Sequence, residues 1–155
     1  MGRYSKLYLG IDPGKQGGMG ILRSDGVVVT TTRMPTGKVR IMDWISTALA
    51  QAGNLVMVVE QSQPMPKQGI VSAFNYGRHF AIFEDTAILL KVPYHTVTPA
   101  VWKKSMHLTS DKNDSFTACR RLFPIVELIP QGCRKQHDGI AEALLVAEWG
   151  RRKNL

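Results

Sequence analysis

The sequence predicts an α/β protein in which a mixed five-stranded sheet is flanked by helices. Short apolar or β-branched runs of strand length alternate with longer segments whose apolar residues recur at helical spacing. The turn sequence Ser24–Gly26 joins two of the runs and predicts a hairpin, so the first three strands should form an antiparallel meander. The later runs are separated by helical segments, and strands connected in this way are typically parallel.

Three strands and a helix are predicted in the first third of the chain. Leu7–Ile11 is an apolar run that leads into Asp12, and glycine-rich breaks separate it from a second run at Met19–Arg23. Val27–Arg33 is rich in β-branched residues, which favour strands. Apolar residues at helical spacing then predict a helix that ends at Gly53, a typical left-handed C-cap.

The middle of the chain is predicted to contain a strand, a long helix and a short strand. Leu55–Val59 is continuously apolar, as expected for a strand covered on both faces, and Glu60 follows it. Aromatic and aliphatic residues recur along a helix over about residues 70–90. Tyr94–Val97 is a short strand, and the Thr-Pro pair at residues 98–99 supplies an N-cap and a first helical residue.

The last third is predicted to be mainly helical. Ser110 or Asp111 caps a helix that Pro124 stops, and Val126–Ile129 is predicted as an additional small strand. The final helix covers about residues 138–152. Because no repeat or linker interrupts this order, all 155 residues are predicted to form one domain.

The composition points to a polyanionic partner. The net charge is +8, from 20 basic and 12 acidic residues, which favours nucleic acid first. No apolar stretch approaches the roughly 20 residues that span a bilayer, and no signal peptide is evident. We therefore expect no membrane association and a cytoplasmic location. Cys119 and Cys133 have no metal-like spacing and are expected to be free thiols.

Two acidic residues directly follow apolar strands. Asp12 ends the first strand and Glu60 ends the fourth. An isolated carboxylate is costly to bury, and a bound cation is one partner that would offset the cost. Strand ends are also where the sites of α/β proteins gather. The alternatives are a turn aspartate that caps a local N–H group and an ordinary surface glutamate.

Two further acids lie on the last helix. Asp138 and Glu142 are four residues apart, so they share a face that is otherwise apolar or small. Like charges at this spacing repel unless a cation lies between them. Asp138 alone is explained by the helix dipole, but Glu142 is not. Four carboxylates would suit a hard cation such as Mg²⁺ or Mn²⁺. His137 either joins this site or is an ordinary loop histidine.

Several segments together resemble a known family over nearly the whole chain. Residues 10–14, 58–61 and 137–147 resemble the three acidic motifs of the RuvC family of Holliday junction resolvases, which belong to the RNase H-like superfamily. Residues 65–78 and the Thr-Pro-x-x-Trp-Lys-Lys stretch at 98–104 resemble the phage-type and organelle-type branch of that family. The resemblance implies an RNase H-like fold and a location in the cytoplasm of a bacterial or phage-infected host cell.

The resemblance also implies an activity. Members are homodimers that bind four-way DNA junctions and cut two strands symmetrically, using two Mg²⁺ ions per site, for which Mn²⁺ substitutes. It implies that Asp12 bridges the ions and that Glu60 and Asp138 each complete one side, while Glu142 binds directly or through water. Because bacterial members space the last two acids one residue closer, either Asp138 or Glu142 can be the main ligand here. Gln63 stands where bacterial members have an aromatic wedge, so the wedge is not carried over.

The predicted DNA contacts are basic or amide side chains on loops and helices near these motifs. They are Gln63, Lys67, Gln68, Arg78, Lys103, Lys104, Lys112, Arg134 and Lys135. For each, the alternative is an ordinary solvated surface residue. Lys103 and Lys104 are favoured because they follow Trp102 in the family-like stretch.

Three other functions are compatible with the sequence. The chain could be another nuclease of the same fold that cuts flaps or linear DNA. It could be a non-catalytic dimer that binds or bends branched DNA, although the four acids argue against this. An actin-like ATPase ranks last, because 155 residues leave no room for the two halves of that superfamily.

Overall fold

Five strands form one mixed sheet in the order β3-β2-β1-β4-β5. The computed structural model describes residues 6–155. The strands are β1 (Leu7–Asp12), β2 (Gly18–Arg23), β3 (Val28–Arg33), β4 (Leu55–Glu60) and β5 (Tyr94–Val97). β2 pairs antiparallel with β1 and β3, whereas β4 pairs parallel with β1 and β5. The predicted meander and parallel strands are therefore confirmed.

Five helices cover the two faces of this sheet. They are α1 (Lys38–Ala52), α2 (Ile70–Leu90), α3 (Pro99–Ser105), α4 (Lys112–Leu122) and α5 (Asp138–Arg152). Buried side chains of α1 and α2 share a hydrophobic cluster with one face of the sheet, and those of α3, α4 and α5 share clusters with the other. Within residues 6–155, no helix has the length and apolar character needed to cross a membrane.

The helix ends follow the predicted signals. Gly53 caps α1 in the left-handed conformation, and its N–H donates to Leu49 O. Asp111, rather than Ser110, caps α4 by accepting a hydrogen bond from the Asn113 N–H. Cys119 on α4 is buried, and it is a free thiol, as is Cys133.

The predicted strand at residues 126–129 is wrong. The segment forms a turn and a loop in which backbone groups are paired locally. The Val126 N–H donates to Phe123 O, and the Ile129 N–H donates to the Glu127 carboxylate. Since these donors are already satisfied, the β-branched residues of the segment do not extend into a strand.

Alternation along the strands places both strand-end acids on the face that α5 covers. Successive side chains of a strand point to opposite faces. On β1, Leu9 packs with α1 and α2, whereas Tyr8 packs with α5. Asp12 has the parity of Tyr8, and Glu60 on β4 has the parity of Val58, which packs with α3 and α5. Both acids therefore face α5.

Glycines let the backbone of α5 lie directly against β1 and β2. A Cβ atom at Gly10 would lie 1.9 Å from Ala143 O, and one at Gly18 would lie 2.7 Å from Gly139 O. A Cβ at Gly20 would lie 2.7 Å from the Leu144 side chain of the same helix. Only residues without side chains permit this approach. The second turn of α5 is thereby held beside the ends of β1 and β4.

This contact makes Gly10 sensitive to a single methyl group. We expect Gly10→Ala to lower the free energy of unfolding by about 3 kcal/mol, because α5 must move away from β1. Gly77→Ala is the matched control, since a Cβ there meets no atom within 4 Å. Its helical position should make it neutral or stabilising by up to about 1 kcal/mol. Urea denaturation measures both changes, and equal destabilisation would contradict the role of Gly10.

Candidate active site

Three of the four predicted acids converge at one edge of the sheet. β1 and β4 are neighbouring parallel strands paired through Ile11 and Val59, so Asp12 and Glu60 end side by side. α5 adds Glu142 from its second turn. One carboxylate oxygen from each of the three acids lies within 4.8 Å of the others.

Burial and mutual repulsion make negative charge on these three acids unfavourable. Burial raises the pKa of Asp12 well above its ordinary value, and the nearby Glu60, Glu142 and Asp138 raise it further. Burial also raises the pKa of Glu60 to about 7, although a hydrogen bond from Trp102 opposes the shift. A divalent cation would relieve the repulsion, and an all-oxygen donor set fits Mg²⁺ or Mn²⁺. The residues present therefore fit the metal that the resemblance implies.

Asp138 lies outside this group, at its rim. Its carboxylate pairs with the Lys112 ammonium, and its side chain is 31% exposed. Burial tends to raise the pKa of Asp138, but the hydrogen bond from Lys112 and its charge lower it overall. Asp138 still adds negative potential at Asp12. Of the two helix acids, Glu142 is the one that the structure places with the strand-end acids.

Two neighbouring residues of α3 hold two of the acids. The Trp102 indole Nε1 donates to Glu60 Oε2 at 2.6 Å. The Lys103 Nζ lies 2.8 Å from Glu142 Oε1, to which the buried Ser115 hydroxyl also donates at 3.4 Å. The sequence interpretation missed Trp102 and Ser115 as contacts of the acids. A fully buried tryptophan needs a partner for its N–H group, and that need was the available signal.

Two histidines fix the backbone around the site. His137 is the N-cap of α5, and its Nδ1 accepts a hydrogen bond from the Ile140 N–H at 3.2 Å. This contact gives the predicted auxiliary residue a structural role. His79 on α2, which was not predicted, accepts a hydrogen bond from the Gly14 N–H at 3.0 Å and so holds the loop after Asp12. Burial lowers the pKa of both imidazoles, which favours the neutral form that these contacts require.

The predicted DNA contacts fall into two groups. Lys103 and Lys112 are paired with acids of the site. The others have exposed side chains: Gln63, Lys67, Gln68, Arg78, Lys104, Arg134 and Lys135. Arg134 and Lys135 line an open groove of about 1220 Å³ that also contains Lys15, Arg33 and Asp138. Lys15 and Arg33 were not predicted, because they lie in separate segments that only the fold brings together.

The pKa of Glu60 gives a testable dependence of stability on pH. Its value of about 7, against an ordinary 4.5, means that the folded chain binds this proton more tightly than the unfolded chain. Stability should therefore fall as pH rises from about 4.5 to 7 and then level off. In chelator at about pH 8, we expect Glu60→Gln to be more stable than the wild type by about 2 kcal/mol, with no gain at pH 4.5.

Urea denaturation at the two pH values measures this difference. Asp43→Asn, which removes an exposed acid on α1, is the control for the loss of one negative charge. A Glu60→Gln chain that is less stable than the wild type at about pH 8 would show that the carboxylate does not carry an unfavourable charge.

Comparison with solved structures identifies the fold. A structure of Thermus thermophilus RuvC in complex with a Holliday junction substrate aligns with a TM-score of 0.73 and 18% identity, over 96% of each chain. A second T. thermophilus RuvC structure aligns with a TM-score of 0.71 and 17% identity, again over 96% of each chain. No family model and no curated protein matches the sequence. The five-stranded sheet and its helices have the RuvC form of the RNase H-like fold, as the sequence resemblance predicted.

Proposed function

We propose that this chain, as a single nuclease domain, is a structure-selective endonuclease that resolves four-way DNA junctions by paired, symmetric nicks. The observation that carries the proposal is the convergence of Asp12, Glu60 and Glu142 at the strand ends of this fold. The T. thermophilus RuvC structure of the same fold was solved with a Holliday junction substrate. The strongly basic chain suits the same kind of partner.

The acids have distinct places in the proposed mechanism. Asp12, Glu60 and Glu142 would hold Mg²⁺ or Mn²⁺, with two ions per site, and Asp138 would contribute from the rim directly or through water. When bound, the ions supply a water of lowered pKa and stabilise the charge on the leaving oxygen. The buried indole of Trp102 keeps Glu60 oriented by a hydrogen bond. The Lys103 ammonium and the Ser115 hydroxyl donate to Glu142.

Basic side chains beside the cluster would hold the DNA backbone. The groove that Asp138 helps to line also presents Arg33, Arg134 and Lys135. Lys104 is exposed on the α3 side. Contacts to phosphate position the strand without reading its sequence, which suits recognition of a junction by its shape.

A homodimer is proposed because paired nicking needs two sites. The first turns of α2 expose a row of large apolar residues: Ile70 is 87% exposed, Val71 is 72% exposed and Phe74 is 64% exposed. Contiguous apolar surface of this kind is typical of protein interfaces. A two-fold contact through α2 would bring the same residues of two copies together.

Removing the central acid should separate cutting from binding. We expect Asp12→Asn to reduce cleavage of a mobile four-way junction in Mg²⁺ by at least about a thousandfold. Junction affinity in a gel-shift assay should stay near that of the wild type, because the change keeps the size of the side chain and removes only a negative charge, which does not attract phosphate. The control variant Asp43→Asn, which loses an exposed acid on α1, should cut the junction as the wild type does.

Flap and linear duplex substrates, each with Mg²⁺ or with chelator, complete this test. Paired nicks confined to the junction support a resolvase. Efficient cutting of all three substrates would favour a related nuclease without junction selectivity. Binding by the wild type without any cutting would favour a protein that only binds or bends branched DNA.

A charge in the α2 row should disrupt the proposed dimer. We expect Phe74→Glu to weaken self-association by at least about a hundredfold, since interface aromatics commonly carry this much binding energy. Analytical ultracentrifugation measures the change, and Ile125→Glu, at an apolar residue that is 92% exposed elsewhere, is the matched control. Nicks on the two strands should then become uncoupled. A wild-type monomer, or equal effects of both changes, would exclude this interface.

A further inference from the structure

Lys103 is the nearest positive charge to the acidic cluster on the side of α3. Its ammonium lies 2.8 Å from Glu142 Oε1, with 17% of the lysine side chain and 15% of the glutamate side chain exposed. The same ammonium lies 5.2 Å from the centre of the Trp102 ring, on which cation–π attraction holds it. Lys103 is therefore held in place by two neighbours, whereas the next residue, Lys104, is exposed.

This arrangement offsets part of the repulsion that the cluster creates. Glu142 shares its site with Asp12 and Glu60, whose carboxylates are buried. The Lys103 charge lowers the pKa of both of these acids, so its field reaches the whole cluster. An ammonium at this place partly replaces a metal ion, because it supplies positive charge at a carboxylate oxygen.

We propose that Lys103 is a built-in counter-cation of the site, which holds Glu142 before a divalent ion binds and competes with that ion for it. The proposal rests on the metal site of the proposed function. A divalent ion among the three acids would repel the ammonium, and the flexible lysine stem lets it swing away. Metal binding must therefore break the Lys103–Glu142 pair, and the free energy of that pair reduces the affinity for the ion.

Removing the lysine charge should strengthen metal binding. We expect Lys103→Met to bind Mn²⁺ about tenfold more tightly than the wild type in the absence of DNA, since one partly buried ion pair no longer has to be broken. Lys104→Met is the matched control, with the same loss of charge one residue away, and should change the affinity by less than about twofold. Lys103→Arg keeps the charge and should stay near the wild type.

Isothermal titration calorimetry with Mn²⁺ on the full chain, at about pH 8 after removal of metal with chelator, measures these affinities. Thermal unfolding gives a second readout. In chelator, Lys103→Met should unfold at a lower temperature than the wild type. Mn²⁺ should raise the unfolding temperature of Lys103→Met by more than it raises that of the wild type. A residue that only supports packing would not produce the second effect. If Lys103→Met does not fold, Lys103→Gln takes its place in both measurements.

The outcomes separate this inference from the proposed function. Mn²⁺ binding that is unchanged or weaker in Lys103→Met, with the wild type binding normally, overturns the counter-cation and leaves the metal site intact. Equal tightening in Lys103→Met and Lys104→Met also overturns it, because the effect would then be one of general charge. No Mn²⁺ binding by any of these chains overturns the metal site itself.

Discussion

The backbone contact between α5 and the first two strands is the constraint on which the site depends. Gly10 lies against the carbonyl of Ala143, and Gly18 lies against Gly139. A side chain at either glycine would push the helix outward, whereas Asp12 and Glu60 would stay at the strand ends. Glu142 would then be too far away to share a cation with them. The glycines of β1 and β2 therefore determine whether two acids or three meet.

This closeness has an electrostatic cost that the rest of the fold must offset. Burial and neighbouring acids raise the pKa of Asp12, and burial raises that of Glu60 to about 7, so at neutral pH the folded chain carries unfavourable charge. Two hydrophobic clusters anchor the opposite sides of α5 and supply stability. The cluster is kept at the expense of stability, as is common where a protein prepares a site for a charged ligand.

Most of the fold, but only part of the site, could be predicted from the sequence. The apolar runs before Asp12 and Glu60 were enough to place both acids at the ends of strands, where sites of α/β proteins gather. Which of Asp138 and Glu142 lies beside the strand-end acids could not be predicted, because residues four apart share a helix face and differ by about 6 Å along the axis. Which turn lies level with the strand ends depends on the glycine contacts, which no periodicity reveals. The strand predicted at residues 126–129 is wrong for a different reason, since local hydrogen bonds already satisfy the N–H groups of Val126 and Ile129.

The lysines illustrate the same limit and its consequence for function. Lys103 and Lys104 are identical and adjacent in the sequence, yet one pairs with Glu142 and the other is exposed. Lys112 likewise pairs with Asp138. Part of the basic charge therefore lies against acids of the site, with the Lys103 side chain mostly buried and the Lys112 side chain 71% exposed. The count of 20 basic residues therefore overstates the number of unpaired cations, whereas the net charge of +8 already includes the acids that pair with them. A metal ion at the proposed site would add positive charge there and would displace Lys103 from Glu142.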